Sequence, residues 1–259
     1  MEMPRDLTRY AKVAQEAINQ ACTIARRRFG QALVAEVKGP RGDLVTAVDR
    51  DCEAVIIDLL HRSFPDHTIE TEESGVLFEG SNTVWLVDPL DGTNNYANLL
   101  PLYGAAVTLC HRGEPLVAAI GEAHSGDVAY AIRDQGVWMN DKPFVRAPAT
   151  NHQMPATALW IGYESEYDGD LSAVSSLLNT RSRRVYCTWA PTIDVFLYLR
   201  GGLDAIVVYQ CSGTELLGSL LMAGEAGAEI RSADGAHVRR LADLPELTFV
   251  GDPETTLPL

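Results

Sequence analysis

The chain has 259 residues, 46% of them apolar and 22% charged, and 35 acidic side chains against 21 basic ones give it a net charge of −14. One large domain or two modest ones burying roughly three-quarters of the unfolded surface fit that length, and the composition excludes disordered and fibrous classes. The acidity repels nucleic acid as a partner and implies that any anionic substrate is received through bound cations.

The first residues, MEMPRDLTRYAK, are charged throughout and lack the apolar core of a secretory signal. The longest charge-free stretch, Gly92 to Cys110, carries Asn94, Asn95, Asn98 and Pro101, so no membrane span is expected. The expectation is a cytoplasmic protein with no membrane partner. Cys22, Cys52, Cys110, Cys187 and Cys211 are odd in number and show no CxxC spacing, which speaks against a disulfide framework and a structural zinc site.

Apolar residues recur at helical spacing from Leu7 to Phe29, and Gly30 ends the run. A hairpin is expected next, Ala32 to Val37 and Leu44 to Ala47 around the turn at 38–42, followed by a helix from Val48 to His61. Thr83 to Val87 reads as a short buried strand entering an Asp88-Pro89 turn. Strands are expected at 105–110, 116–120, 128–132 and 136–139, broken by Gly, Asn and Asp-Lys-Pro turns. PATNHQMP, residues 148–155, is the linker candidate, dividing an N-terminal subdomain (1–150) from a C-terminal one (151–259). Beyond it, strands are expected at 158–162, 185–187 and 205–209, with helices at 171–178, 192–199 and 214–226. The alternation predicts a layered α/β protein.

Three acidic motifs stand out: Glu70-Thr71-Glu72-Glu73-Ser74, Trp85 to Asn94 (WLVDPLDGTN), and Glu215 at the head of an apolar helix. Each has a plain structural explanation as a solvated loop, a turn, or a capping box with Ser212. The strand ending in Asp88-Pro89-Leu90-Asp91-Gly92-Thr93 suggests more. It delivers two carboxylates to a crevice where Gly92 and Thr93 offer N–H groups to a phosphate at a helix start. Oxygen donors without His or Cys favour Mg²⁺ over Zn²⁺.

The run WLVDPLDGTNNY resembles the signature of the inositol monophosphatase family, and the similarity extends to GDLVTAVDRD, FPDHTIETEES, GVWMNDKPF and EAGAE. That resemblance implies an αβαβα sandwich and a Mg²⁺-dependent, lithium-sensitive phosphomonoesterase with two or three ions, usually a homodimer. By position it implies Glu72, Asp88 and the Leu90 carbonyl around the first metal, and Asp88, Asp91 and Glu215 around the second. It also implies Asp49 and Thr93 at the attacking water, Glu73 as a carboxylate behind the ligands, and Lys38 as a basic residue near the metal loop.

The sequence also departs from the family pattern. Thr214-Glu215 stands for Trp-Asp, and Thr71 for a glycine. Trp189-Ala190-Pro191-Thr192 replaces the Gly-Ser-Ala-Ala stretch that lines the substrate pocket, and Val208 falls where an acid grips an inositol hydroxyl. Trp189, Ala190 and Val208 are therefore expected to line the substrate pocket and to disfavour inositol phosphate. Trp189 reads equally as a stacking platform and as ordinary core. The leading function is hydrolysis of a small phosphorylated metabolite, a sugar, cyclitol or nucleoside phosphate, by metal-activated water without a covalent intermediate. The alternatives are an authentic inositol-1-phosphate phosphatase, or a catalytically degenerate member acting as a binding or regulatory protein.

Overall fold

A computed structural model describes residues 6–31, 35–38, 43–146, 154–162 and 169–252. Helix α1 (Leu7–Arg28) starts where the Asp6 carboxylate accepts the Arg9 N–H at 3.0 Å, and it buries Ala14, Ala17, Ile18, Ala21 and Ala25 along one stripe. Strands β1 (Ala35–Lys38) and β2 (Asp43–Thr46) form the antiparallel hairpin, and most of its turn lies outside the described residues. Helix α2 (Ala47–Ser63) opens with a capping box in which Thr46 and Asp49 satisfy each other's backbone N–H groups.

Then come β3 (Thr68–Thr71), β4 (Gly75–Leu77), β5 (Thr83–Asp91), the single-turn α3 (Thr93–Ala97), β6 (Gly104–His111), β7 (Glu114–Glu122), β8 (Asp127–Ile132), β9 (Gly136–Met139) and β10 (Lys142–Phe144). Past residue 153 the chain forms β11 (Ala156–Ile161), α4 (Gly169–Arg181), β12 (Arg184–Tyr186), α5 (Pro191–Leu199), β13 (Ala205–Tyr209), α6 (Leu216–Glu225), β14 (Glu229–Ser232) and β15 (Leu247–Gly251). Most of the linker candidate, 148–153, lies outside the described residues.

An eight-stranded sheet runs β10-β9-β8-β7-β6-β5-β3-β4, and a five-stranded sheet runs β12-β11-β13-β15-β14. The larger sheet is buried on both faces, so side-chain alternation sorts its residues into two cores. Val107, Leu109, Val117, Ala119 and Tyr130 pack with α1 and α2. Ala106, Ala118, Ile120 and Ala129 pack with α5 and α6. Those two helices also meet the smaller sheet through Ala158, Ile206 and Val250, and α4 covers its far face, where Leu178 joins Leu159, Val207 and Phe249. The layers are thus α-β-α-β-α. No helix among the described residues is long and apolar enough to cross a membrane.

Three expectations need correction. The strand from Thr83 does not turn at Asp88-Pro89 but continues to Asp91, because a bulge between Asp88 and Asp91 lets β5 stay paired with β6 through the proline. Of the Asp-Lys-Pro segment only Asp141 is in the turn, and Lys142 and Pro143 belong to strand β10, an edge position that tolerates Pro143. The capping box with Ser212, weighed as the plain structural explanation of Glu215, does not form: Glu215 sits at the cap with no side-chain bond to the helix.

Candidate active site

β3 and β5 are parallel, and so are β11, β12 and β13. The carboxyl ends of both parallel groups open onto one cavity of about 310 Å³, where layered α/β sheets characteristically present functional residues. Glu72, Asp88, Leu90, Asp91, Gly92 and Thr93 line it from the larger sheet, and Ile161, Cys187, Trp189, Cys211 and Glu215 from the smaller one.

The bulge turns both aspartates of β5 inward. Asp88 is 4% exposed and Asp91 5%. Burial, and then repulsion from Glu72, Asp91 and Glu215, lifts the Asp88 carboxyl well above the ordinary range. Asp91 is pushed up to about 7 by burial, against the pull of two bonds from Thr192. Glu215 is also pushed up to about 7, by burial and by Asp91. Repulsion among carboxylates on one cavity, Asp88 and Asp91 among them buried, marks a place where a cation lowers the energy of the ionised forms.

Magnesium fits this donor set. The carboxylates of Glu72, Asp88, Asp91 and Glu215 and the Leu90 carbonyl supply hard oxygen. Among the described residues no three His, Cys, Asp or Glu side chains form a ready-made metal cage. Mg²⁺ keeps several waters and takes a few carboxylates together with substrate phosphate rather than a closed all-protein shell.

Next to these acids, the Thr93 hydroxyl lies 2.9 Å from Asp49 Oδ1 and 2.8 Å from the Leu90 carbonyl oxygen. It has one proton for two acceptors. Asp49, 1% exposed, accepts the Thr46 N–H at 2.8 Å and the Thr46 hydroxyl at 2.5 Å on its other oxygen. Burial raises its pKa and these bonds oppose the rise. Gly92 precedes α3 with φ +82°, and a Cβ there would sit 2.7 Å from the Leu102 carbonyl oxygen, so the turn that presents Thr93 requires glycine.

Glu73, Lys38, Ala190 and Val208 lie off the described cavity wall or outside the described side chains. Glu73 is half-buried in the turn beside Glu72 and does not line the cavity. Lys38 is on β1, and its side chain lies outside the described residues. Ala190 was expected in the pocket wall, but it is fully buried behind Gly92 while its neighbours Trp189 and Pro191 line the cavity. Val208 was expected there too; alternation along β13 instead turns it into the core between the sheets with Ala158 and Trp160.

Several supporting groups escape the sequence reading. Glu53 of α2 accepts bonds from the Thr71 hydroxyl and from the Ser74 N–H (2.9 Å) and hydroxyl (2.8 Å), fixing the turn that carries Glu72. Thr192 donates both its N–H and its hydroxyl to Asp91 Oδ2. Asp194, fully buried, accepts the Trp160 indole N–H at 2.8 Å and the Thr188 hydroxyl at 2.9 Å. The Thr46-x-x-Asp49 spacing was a readable capping-box signal for Thr46. The substitution of Thr71 for glycine was a signal for a new hydrogen bond.

A sequence profile described as the inositol monophosphatase family matches residues 6–240. The chain belongs to the inositol monophosphatase family. This makes it a metal-dependent phosphoric monoester hydrolase by class. The chain is 31% identical over 238 residues, 87% of its length and 85% of the relative's, to a protein named Nus factor SuhB from Escherichia coli strain K12. An inositol-1-monophosphatase from Synechocystis is 34% identical over 141 residues, which are 54% of this chain and about half (49%) of that one. Among solved structures, the suppressor protein SuhB of Bartonella henselae superimposes with a TM-score of 0.83 at 21% identity, over 95% of this chain and 94% of that one. That likeness establishes the shared fold.

Proposed function

We propose that this chain hydrolyses a small phosphomonoester by direct attack of water, with Mg²⁺ held by Glu72, Asp88, Asp91, Glu215 and the Leu90 carbonyl. The observation that supports this most strongly is the pairing of a repelling carboxylate group with the Thr93–Asp49 hydrogen bond, whose Thr93 end lines the same cavity. When bound, divalent ions offset the −4 of these carboxylates, acidify water and neutralise phosphoryl charge.

The chain's own part is positioning and proton transfer. Thr93 donates its hydroxyl hydrogen bond to Asp49, which leaves the hydroxyl oxygen to accept from a water and aim it in line with the phosphorus; as that water attacks, its proton moves to the Thr93 oxygen while the Thr93 proton moves to Asp49. Asp49 is poised as the base: burial raises its proton affinity, while Thr46 fixes its second oxygen. The N–H groups at Gly92 and Thr93 border the place for the phosphoryl oxygens. No side chain here needs to form a covalent phosphoryl intermediate.

A second reading, a regulator that binds without turnover, is favoured by the name Nus factor carried by relatives. Phosphate release decides between them. Turnover of glycerol 2-phosphate or inositol 1-phosphate that requires Mg²⁺ and stops with EDTA is expected. Thr93→Ala is expected to lower kcat with little change in KM. Full turnover in excess EDTA overturns the metal mechanism, and binding of an ester with no release favours the regulator.

A further inference from the structure

Asn95 lies in α3 two residues beyond Thr93, is 9% exposed and does not line the cavity. Its amide nitrogen donates at 2.9 Å to the carbonyl oxygen of Leu102, just before β6, and at 2.7 Å to that of Thr188, 93 residues further along in the loop between β12 and α5. Two acceptors on one nitrogen use both N–H donors of the amide. Asn95 therefore joins the larger sheet's side of the cavity to the smaller sheet's side.

Both ends of this bridge bear on the site. A Cβ at Gly92 would lie 2.7 Å from the Leu102 oxygen, 3.1 Å from Ala190 Cβ and 3.4 Å from Asn95 Nδ2, so the Gly92–Thr93 turn, Asn95 and the loop of Thr188 and Ala190 form one close-packed junction. That loop carries Cys187, Trp189 and Pro191 to the cavity wall. Trp189 has φ +55°, a left-handed backbone that a bulky residue keeps only where its surroundings enforce it. The carbonyl gripped by Asn95 belongs to the peptide that enters Trp189, so the amide fixes the plane from which this bend starts.

We infer that Asn95 is a positioning residue: it locks the phosphoryl end of the cavity, at Gly92 and Thr93, to the wall that meets the leaving group. This rests on the phosphomonoester reading and adds a residue to it. Thr93 has anchors of its own in Asp49 and the Leu90 carbonyl. The Thr188 hydroxyl is held by Asp194, but the Thr188–Trp189 peptide is held through Asn95. Loss of the amide thus leaves the phosphoryl end in place and loosens the wall, which a leaving group must then order as it binds.

The test uses methylphosphonate, which reaches little beyond the phosphoryl end, and benzylphosphonate, which extends to the wall. Asn95→Leu keeps the volume without a donor, and Asn95→Ala removes both. Calorimetry in Mg²⁺ is expected to show benzylphosphonate binding about tenfold more weakly to either variant than to the native chain, the order that immobilising a loose wall costs, with methylphosphonate changed by less than about twofold. A loss shared equally by the two ligands, no loss of either, or no binding of either to the native chain overturns the assignment. Failure of both variants to fold, read by circular dichroism, also overturns it, because the amide then serves the fold and not the register of the site. Turnover of glycerol 2-phosphate by the native chain is measured alongside. Turnover without the split between ligands overturns the Asn95 assignment alone, and the split without turnover upholds the assignment and overturns the phosphatase reading.

Discussion

Thr192 grips Asp91 twice on one oxygen: its backbone N–H lies 2.7 Å from Asp91 Oδ2, and its hydroxyl donates to the same atom. The other carboxylate oxygen is thereby left to the cavity. Residues that orient a metal ligand typically matter 10–100-fold for metal affinity. Thr192→Val keeps the shape and the N–H but loses the hydroxyl. The expected result is a half-saturating Mg²⁺ concentration about tenfold higher, read from phosphate release, with Thr192→Ser close to native. An unchanged Mg²⁺ requirement would show that the backbone bond alone holds Asp91.

Asp88 tests the balance between fold and site. Its charge is opposed by burial and by Glu72, Asp91 and Glu215, so it costs stability when no cation compensates it. Asp88→Asn is expected to abolish nearly all activity. At pH 8 with chelator the variant should nevertheless be more stable than the native chain, because an uncharged amide removes the burial cost of the charge and its repulsion from the neighbouring carboxylates. Added Mg²⁺ should raise the native melting temperature more than that of the variant. A variant that melts lower than the native chain in chelator would contradict the repulsive account.

Much of this architecture is legible in the sequence, for reasons particular residues make plain. α1 could be read because its alanines and Ile18 repeat at one helical spacing, and β13 because its apolar run is short and bounded by turn signals. β3 was obscured because its short apolar part merges into the Glu70 to Glu73 run, which resembles a solvated loop. Asp88, Asp91 and Thr93 were readable because their signature is local. Thr192 was not, since its bond to Asp91 spans 101 residues and needs the two sheets brought together. Val208 was misplaced because counting positions fixes sequence separation, whereas strand alternation fixes which core a side chain enters.

Asp194 supplies a pH dependence of its own. Burial raises its pKa from 3.8 to about 7, against the bonds from Thr188 and Trp160, and its Oδ1 has no hydrogen-bond partner. A carboxyl raised on folding binds its proton more tightly in the native state. Its stabilising contribution is therefore complete below about pH 4 and is lost as the pH rises through about 7. Asp194→Asn cannot titrate, and its amide can donate where Oδ1 lacks a partner. In saturating Mg²⁺, the native chain is expected to lose on the order of a few kcal/mol between pH 4 and 8 relative to Asp194→Asn. Parallel stability curves from denaturant titrations at pH 5 and pH 8 would show that Asp194 keeps an ordinary pKa.

Glu215 carries one methylene more than the family's aspartate, and Gly213 makes room for it. A Cβ at residue 213 would overlap both oxygens of the Glu215 carboxylate, so the longer side chain folds back over the glycine to face the cavity. Gly213→Ala is expected to push that carboxylate away and weaken Mg²⁺ binding about tenfold or more, while the fold, anchored through the buried α6 residues Leu216, Leu220 and Met222, persists. The effect must pass through Glu215. In a Glu215→Ala background the added Gly213→Ala should therefore change Mg²⁺ affinity by less than about 0.5 kcal/mol, since two changes acting on one interaction are not additive. Calorimetric Mg²⁺ titrations of the two single variants and the double variant read this directly. Additive losses would mean that Gly213 shapes the site by a route other than the Glu215 carboxylate.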